Sequence, residues 1–92
     1  MAIVAITLRV LPLSPSEDLG KLKIVIEKKI LALDAKAKLH STTEQPVAFG
    51  LKELICIIAW PEEKDSEILE KELANLVGVS SVQITDVRRA IG

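Results

Sequence analysis

The feature of this sequence that most restricts its fold is how the spacing of its apolar residues switches between two periods. From Ala2 to Leu11 the even positions Val4, Ile6, Leu8 and Val10 are apolar, while Thr7 and Arg9 fall on the odd ones. A period of two belongs to a half-buried strand, and Pro12 ends it. Ser14-Pro15-Ser16-Glu17 then reads as a helix start, with Ser14 as cap, Pro15 at the first helical position and Glu17 placed to complete a capping box. Leu19, Leu22, Ile26, Ile30 and Leu33 follow at steps of three and four, which gives a helix one apolar face. Val25 lies on its flank, and Lys21, Glu27, Lys28 and Lys29 occupy the remainder. Gly20 costs that helix about 1 kcal/mol against alanine, and nothing in the sequence accounts for it.

The period returns to two in Ala35–Thr43, where Ala35, Ala37 and Leu39 alternate with Lys36, Lys38 and His40. Small residues and lysines mark this as a weak, solvated edge strand, and Glu44-Gln45-Pro46 is expected to turn the chain. Phe49–Trp60 is a stronger strand. Both parities are apolar from Leu54 to Ile58, so its middle is either covered on two faces or central in the sheet; Pro61 stops it. Helical spacing resumes over Glu62–Leu76, with Ile68, Leu69, Leu73 and Leu76 as the stripe, Asp65 or Ser66 as cap and Gly78 as the stop. Val79–Val87 is the last strand, with Val82 and Ile84 inward. Its alternation breaks at Asp86-Val87, where pairing ends or bulges. Arg88-Arg89-Ala90-Ile91-Gly92 forms the tail. The order β-α-β-β-α-β predicts an α+β, ferredoxin-like sandwich: a four-stranded antiparallel sheet in the order 4-1-3-2 with two helices on one face. The two most apolar strands, first and third, take the central positions.

Composition then removes function classes. A chain of 92 residues is expected to form one domain, 1–92. With a single cysteine, Cys56, and a single histidine, His40, neither an internal disulfide nor a conventional zinc site is possible, and no metal or cofactor site is expected. A net charge of −1 and only two aromatics, Phe49 and Trp60, lack the footprint of a nucleic-acid binder. No apolar run approaches the roughly 20 residues of a membrane span, and no basic stretch opens the chain as in a signal peptide; a soluble, cytoplasmic protein is expected. Cys56 lies inside the apolar third strand as a buried, inert thiol, His40 among solvated lysines, and Trp60 over the base of the core. There is no phosphate-cradling Gly-rich loop, and no catalytic residue is assigned.

Two segments are not used up by the core. One is Pro46-Val47-Ala48-Phe49-Gly50-Leu51-Lys52-Glu53-Leu54; the other is Ser81-Val82-Gln83-Ile84 running into Arg88-Arg89. Together they resemble the C-terminal guanine-nucleotide-exchange domain of elongation factor 1-beta, in its short archaeal form. In the eukaryotic members the first segment reads Pro, aliphatic, Gly, aromatic, Gly, Ile, Lys, Lys, Leu; the second reads Ser-x-Asp-Ile and closes within a few residues on a lysine. The resemblance covers the whole chain in element order. It implies a protein that breaks no bond, binds the GDP form of the elongation factor 1-alpha GTPase, prefers the nucleotide-free form, and so drives GDP out for GTP to enter. It implies no cofactor and no direct nucleic-acid or membrane partner.

The same resemblance supplies candidate partner-binding residues. Phe49 aligns with the family's aromatic, which reaches into a hydrophobic pocket of the GTPase, and Lys52 matches a motif lysine. The lysine that enters the magnesium and phosphate region in eukaryotic relatives aligns best with Arg89, with Arg88 beside it. Arginine keeps the charge but presents a planar fork in place of an ammonium. Each has a plainer reading: Phe49 as a plug at the end of the core, Lys52 as a solvated face residue, Arg88 and Arg89 as a solubilising tail. Phe49 is expected to open the third strand and the arginines to close the fourth. These strands run parallel in this fold, so the two sites lie at opposite ends of the sheet, on the order of 26 Å apart. Two alternatives stand beside the exchange factor: an ACT-type ligand-sensing module, for which Pro12-Leu13-Ser14-Pro15 is a poor loop, and a structural ribosomal protein, which the net charge opposes.

Overall fold

Alternating burial along the two most apolar strands organises the molecule. In β1 (Ile3–Pro12) the side chains of Val4, Ile6, Leu8 and Val10 are buried, and in β3 (Lys52–Pro61) so are those of Leu54, Cys56, Ile58 and Trp60. Against this surface pack Leu22, Ile26 and Ile30 from α1 (Leu19–Leu33) and Leu69 and Leu73 from α2 (Ser66–Ala74). The outer strands are β2 (Lys38–Pro46) and β4 (Val79–Arg89). The computed structural model describes residues 2–89; the tail residues Ala90, Ile91 and Gly92 lie outside the described residues. All strand pairs are antiparallel and their order is β2-β3-β1-β4, the expected 4-1-3-2 read from the other edge. The ferredoxin-like sandwich stands as predicted, with its longest dimension 41 Å.

Cys56 is fully buried on the helix-covered face, and burial pushes its thiol up to about 12, against a small opposing effect of Lys23. Ile55 and Ile57 fall on the opposite, uncovered face and are half-buried there. That is why both parities of β3 are apolar: the strand is central. Arg9 and Glu53 form an ion pair between β1 and β3 on the same uncovered face. At one corner Trp60 Nε1 donates to the Lys64 carbonyl at 3.0 Å, while the Lys64 ammonium lies 5.7 Å from the indole centroid and donates to the Leu33 carbonyl at the end of α1.

Several boundaries differ from the sequence reading, each for a local reason. The cap of α1 is Asp18, not Ser14: its Oδ1 accepts from Gly20 N at 2.9 Å and Lys21 N at 3.2 Å, satisfying two of the orphan donors of the first turn. A Cβ on Gly20 would stand 3.2 Å from that same oxygen, which gives the glycine its reason. Ser14, Ser16 and Glu17 instead form the bend before it, with Glu17 N donating to Ser14 O. β2 runs from Lys38 to Pro46, because Asp34 holds a turn by accepting from Lys36 N at 2.8 Å. Glu44, Gln45 and Pro46 therefore pair with Leu54, Glu53 and Lys52 and do not turn the chain. Pro46 is tolerated on an edge strand, where its missing N–H faces away from the ladder. β3 begins at Lys52, so Phe49 does not open it. The expected irregularity of β4 is a bulge, with Thr85 slipped between the pairs Thr7↔Asp86 and Leu8↔Ile84.

Candidate functional site

The connection from β2 to β3 is short and tightly bonded. Val47 N donates to Leu51 O at 2.8 Å and Leu51 N to Ala48 O at 3.3 Å. The single 3₁₀ turn Ala48–Gly50 between them carries Phe49 at φ 63°, ψ 30° and Gly50 at φ 73°. Two successive residues at positive φ, closed by a bond from Leu51 back to Ala48, follow the plan of a type I′ hairpin turn. The ring of Phe49 stands at the tip, 94% exposed. The reading of Phe49 as a core plug is thereby overturned: β3 supplies Leu54 and Trp60 to the core, and the aromatic lies beyond the strand.

Lys52, exposed, is the first residue of β3 and pairs with Pro46 just behind the turn. Beside it lies an open cleft of about 280 Å³, with Glu17, Asp18, Glu44 and Lys52 in its walls. Phe49 and Lys52 thus belong to one end of the molecule. Among the described residues no group of three or more His, Cys, Asp or Glu side chains is placed to hold a metal ion, and no helix is long and apolar enough to cross a membrane.

Arg88 and Arg89 stand at the opposite end. The Phe49 turn lies near the rung Val10↔Leu54, whereas Arg89 pairs with Val4 and Arg88 with Ala5. The stretch of β1 between Val4 and Val10 alone is about 20 Å long, so Phe49 and the two arginines lie at opposite ends of the sheet although Phe49 precedes its strand. The bulge at Thr85 decides which way each arginine lies. It puts Val87 and Arg89 in register with the inward residues Ile6 and Val4, and Asp86 and Arg88 in register with Thr7 and Ala5 of the uncovered face. Arg88 Nε lies 2.7 Å from Asp86 Oδ2 on its own strand, and Arg89 Nη2 lies 2.7 Å from Glu62 Oε1 just past β3. Both arginine side chains remain 80% exposed. Ion pairs this open are worth about 0–1 kcal/mol, so they orient the guanidinium groups without locking them. The sequence reading missed Asp86 and Glu62; the acidic residue two before Arg88 is a signal it could have used.

The arrangement sets an exposed apolar ring at one end of the sheet and two exposed cations at the other. Comparison with known proteins gives this shape a context. The model of the EF-1 guanine nucleotide exchange domain matches residues 5–90. The chain is 38% identical over 90 residues to the elongation factor 1-beta of Methanothermobacter thermautotrophicus, covering 97% of this chain and 98% of the relative. It is 41% identical over 90 residues to that of Methanobrevibacter smithii, with the same coverage. To that of Methanosarcina barkeri it is 42% identical over 91 residues, covering 97% and 99%.

Proposed function

The chain belongs to the family of EF-1 guanine nucleotide exchange domains, and from that premise we propose that residues 1–92 act as one exchange unit on the elongation factor 1-alpha GTPase, promoting GDP release and GTP loading in the cytoplasm during translation elongation. The protein breaks no bond. It works by a coupling free energy: it binds the nucleotide-free GTPase better than the GDP form, and GDP and the exchange unit weaken each other reciprocally. The ACT-type and ribosomal alternatives lose their footing with this family membership.

The observation that carries the reading is Phe49, an aromatic held almost wholly in solvent at the tip of a bonded turn. In this proposal its ring enters an apolar pocket on one domain of the GTPase, with Lys52 on the rim. Arg89, with Arg88 beside it, then reaches the magnesium and phosphate region of another domain. There a guanidinium competes electrostatically with the bound cation on which GDP retention depends. The surface ion pairs to Glu62 and Asp86 are weak enough to exchange for the partner's groups.

The test loads the GTPase from the same source with a fluorescent GDP, chases with unlabelled GDP, and follows release at a catalytic concentration of this protein. A large acceleration that turns over is expected. Phe49→Ala is expected to raise the KM for the GTPase and Arg89→Ala to lower kcat, both variants remaining folded. Unchanged release from an active GTPase refutes the function; full activity in both variants removes the site assignment.

A further inference from the structure

The turn that presents Phe49 incurs two costs at one residue. An aromatic side chain is left 94% exposed, and its backbone occupies the left-handed region that bulky residues avoid. The first central position of a type I′ turn favours Asn, Asp or Gly, and Asn in place of Phe49 would relieve both costs without disturbing the ladder. Among the described residues the ring belongs neither to the core nor to the side chains packed against it, and the turn is closed by backbone bonds of Val47, Ala48 and Leu51.

Gly50 stands next to it at φ 73°, and a Cβ built there would meet nothing within 4 Å. This separates two effects that glycine substitutions usually mix. At Gly50 a Cβ meets no neighbour, so a small substitution acts through the backbone preference. If the residue at 50 leaves the left-handed region, the turn opens and the direction in which Phe49 projects changes, while β2, β3 and the core keep their contacts.

We infer that Gly50 is a positioning residue for partner binding: its positive φ closes the turn that holds the Phe49 ring preset for insertion, and the chain accepts backbone strain at Phe49 to keep that ring outside. This rests on the reading of the protein as an exchange factor docking through Phe49. Preorganisation of this kind lowers the ordering cost at the moment of binding.

The experiment compares Gly50→Asn, Gly50→Ala and Gly50→Val with the parent, and Phe49→Asn separately. For each, the thermal midpoint is measured on the free protein, and KM for the GTPase and kcat in the GDP-release assay. Asparagine tolerates the left-handed region, alanine less, and β-branched valine least. KM is therefore expected to rise in the order Asn, Ala, Val, reaching about tenfold or more for Val, the loss expected when an aromatic ring is no longer buried, with kcat within about twofold of the parent. Simple loss of folded protein would do the reverse, lowering apparent kcat and leaving KM unmoved. Phe49→Asn is expected to raise the midpoint by about 3–6 °C while losing affinity for the GTPase. Should Gly50→Val not fold, Asn against Ala carries the same comparison. Equal KM values across the glycine series with an active parent overturn the positioning role, and a lowered midpoint in Phe49→Asn overturns the strain. A parent that does not accelerate release at all overturns the exchange reading and the docking role together, whereas the midpoint of Phe49→Asn needs no partner.

Discussion

The Arg9–Glu53 pair offers a sharp test of how the uncovered sheet face is built, because its two ends sit in different environments. The Glu53 side chain is 9% exposed and that of Arg9 43%. Two nitrogens of the guanidinium donate to a single carboxylate oxygen, Nε at 2.9 Å. Removing the arginine strands a nearly buried carboxylate, whereas removing the carboxylate leaves a guanidinium that water can reach. A fully buried pair broken from one side costs about 3–5 kcal/mol. With one end of this pair in solvent, Arg9→Met is expected to cost about 2 kcal/mol, and Glu53→Gln about 1 kcal/mol or less. Replacing both by methionine returns the site to within about 1 kcal/mol of the parent, since apolar side chains suit the company of Ile55 and Leu11. For a domain of this size about 2 kcal/mol corresponds to a fall of about 8–16 °C in Tm. Urea unfolding followed through Trp60, the one tryptophan and fully buried, measures all three. Equal losses in the two single variants, or a double variant as unstable as Arg9→Met, would refute the asymmetry. The same proteins test function: exchange by the folded fraction is expected within about twofold of the parent. A larger loss would place the uncovered face in the interface and contradict docking by the two ends.

Lys64→Met removes the ammonium that lies over Trp60 and caps α1, and is expected to lower stability by about 1 kcal/mol in a thermal melt; no change would show both contacts to be idle. Asp34 at the same corner is held below the ordinary carboxylate value, foremost by the backbone N–H of Lys36 and further by Lys64, with burial opposing. A depressed folded-state pKa gives stability that is present above the unfolded value of about 3.9 and lost as pH falls through the folded one. Asp34→Asn is therefore expected to flatten that acidic limb and an unaltered limb would count against it. Cys56, with its thiol pushed up to about 12 and no exposed surface, is expected to resist a thiol reagent at pH 8 until the chain unfolds; rapid labelling of native protein would contradict its place in the core.

The parts of the fold that were legible in the sequence are those whose side chains alternate against a common core. Val4 to Val10 and Leu22 to Ile30 announce their period because every second, third or fourth residue is buried. What escaped was decided by the backbone or by distant strands. Ser14-Pro15-Ser16-Glu17 satisfies a capping pattern locally, yet Asp18 wins because a carboxylate beside Gly20 can reach two N–H groups. Pro46 suggests a turn, but an edge strand needs no donor from it. The position of Phe49 in the turn was hidden because an aromatic is a poor choice for positive φ. At the other end the broken alternation at Asp86-Val87 signals an irregularity but not its place: the bulge falls at Thr85, pairing continues to Arg89, and the faces of Arg88 and Arg89 are exchanged. Both halves of the candidate site thus depend on local departures from regular structure, where periodicity carries least information.

The central claim is that this protein and GDP oppose each other on the GTPase, and affinity measures that most directly. The dissociation constant of the protein is determined for the nucleotide-free GTPase and for the same GTPase saturated with GDP and magnesium; the affinity of GDP is determined with and without the protein. Tighter binding to the nucleotide-free form by on the order of 100-fold is expected, with GDP weakened by the same factor, as linkage requires. Equal affinity for the two forms would mean that binding cannot shift the nucleotide equilibrium, and would contradict the exchange function outright.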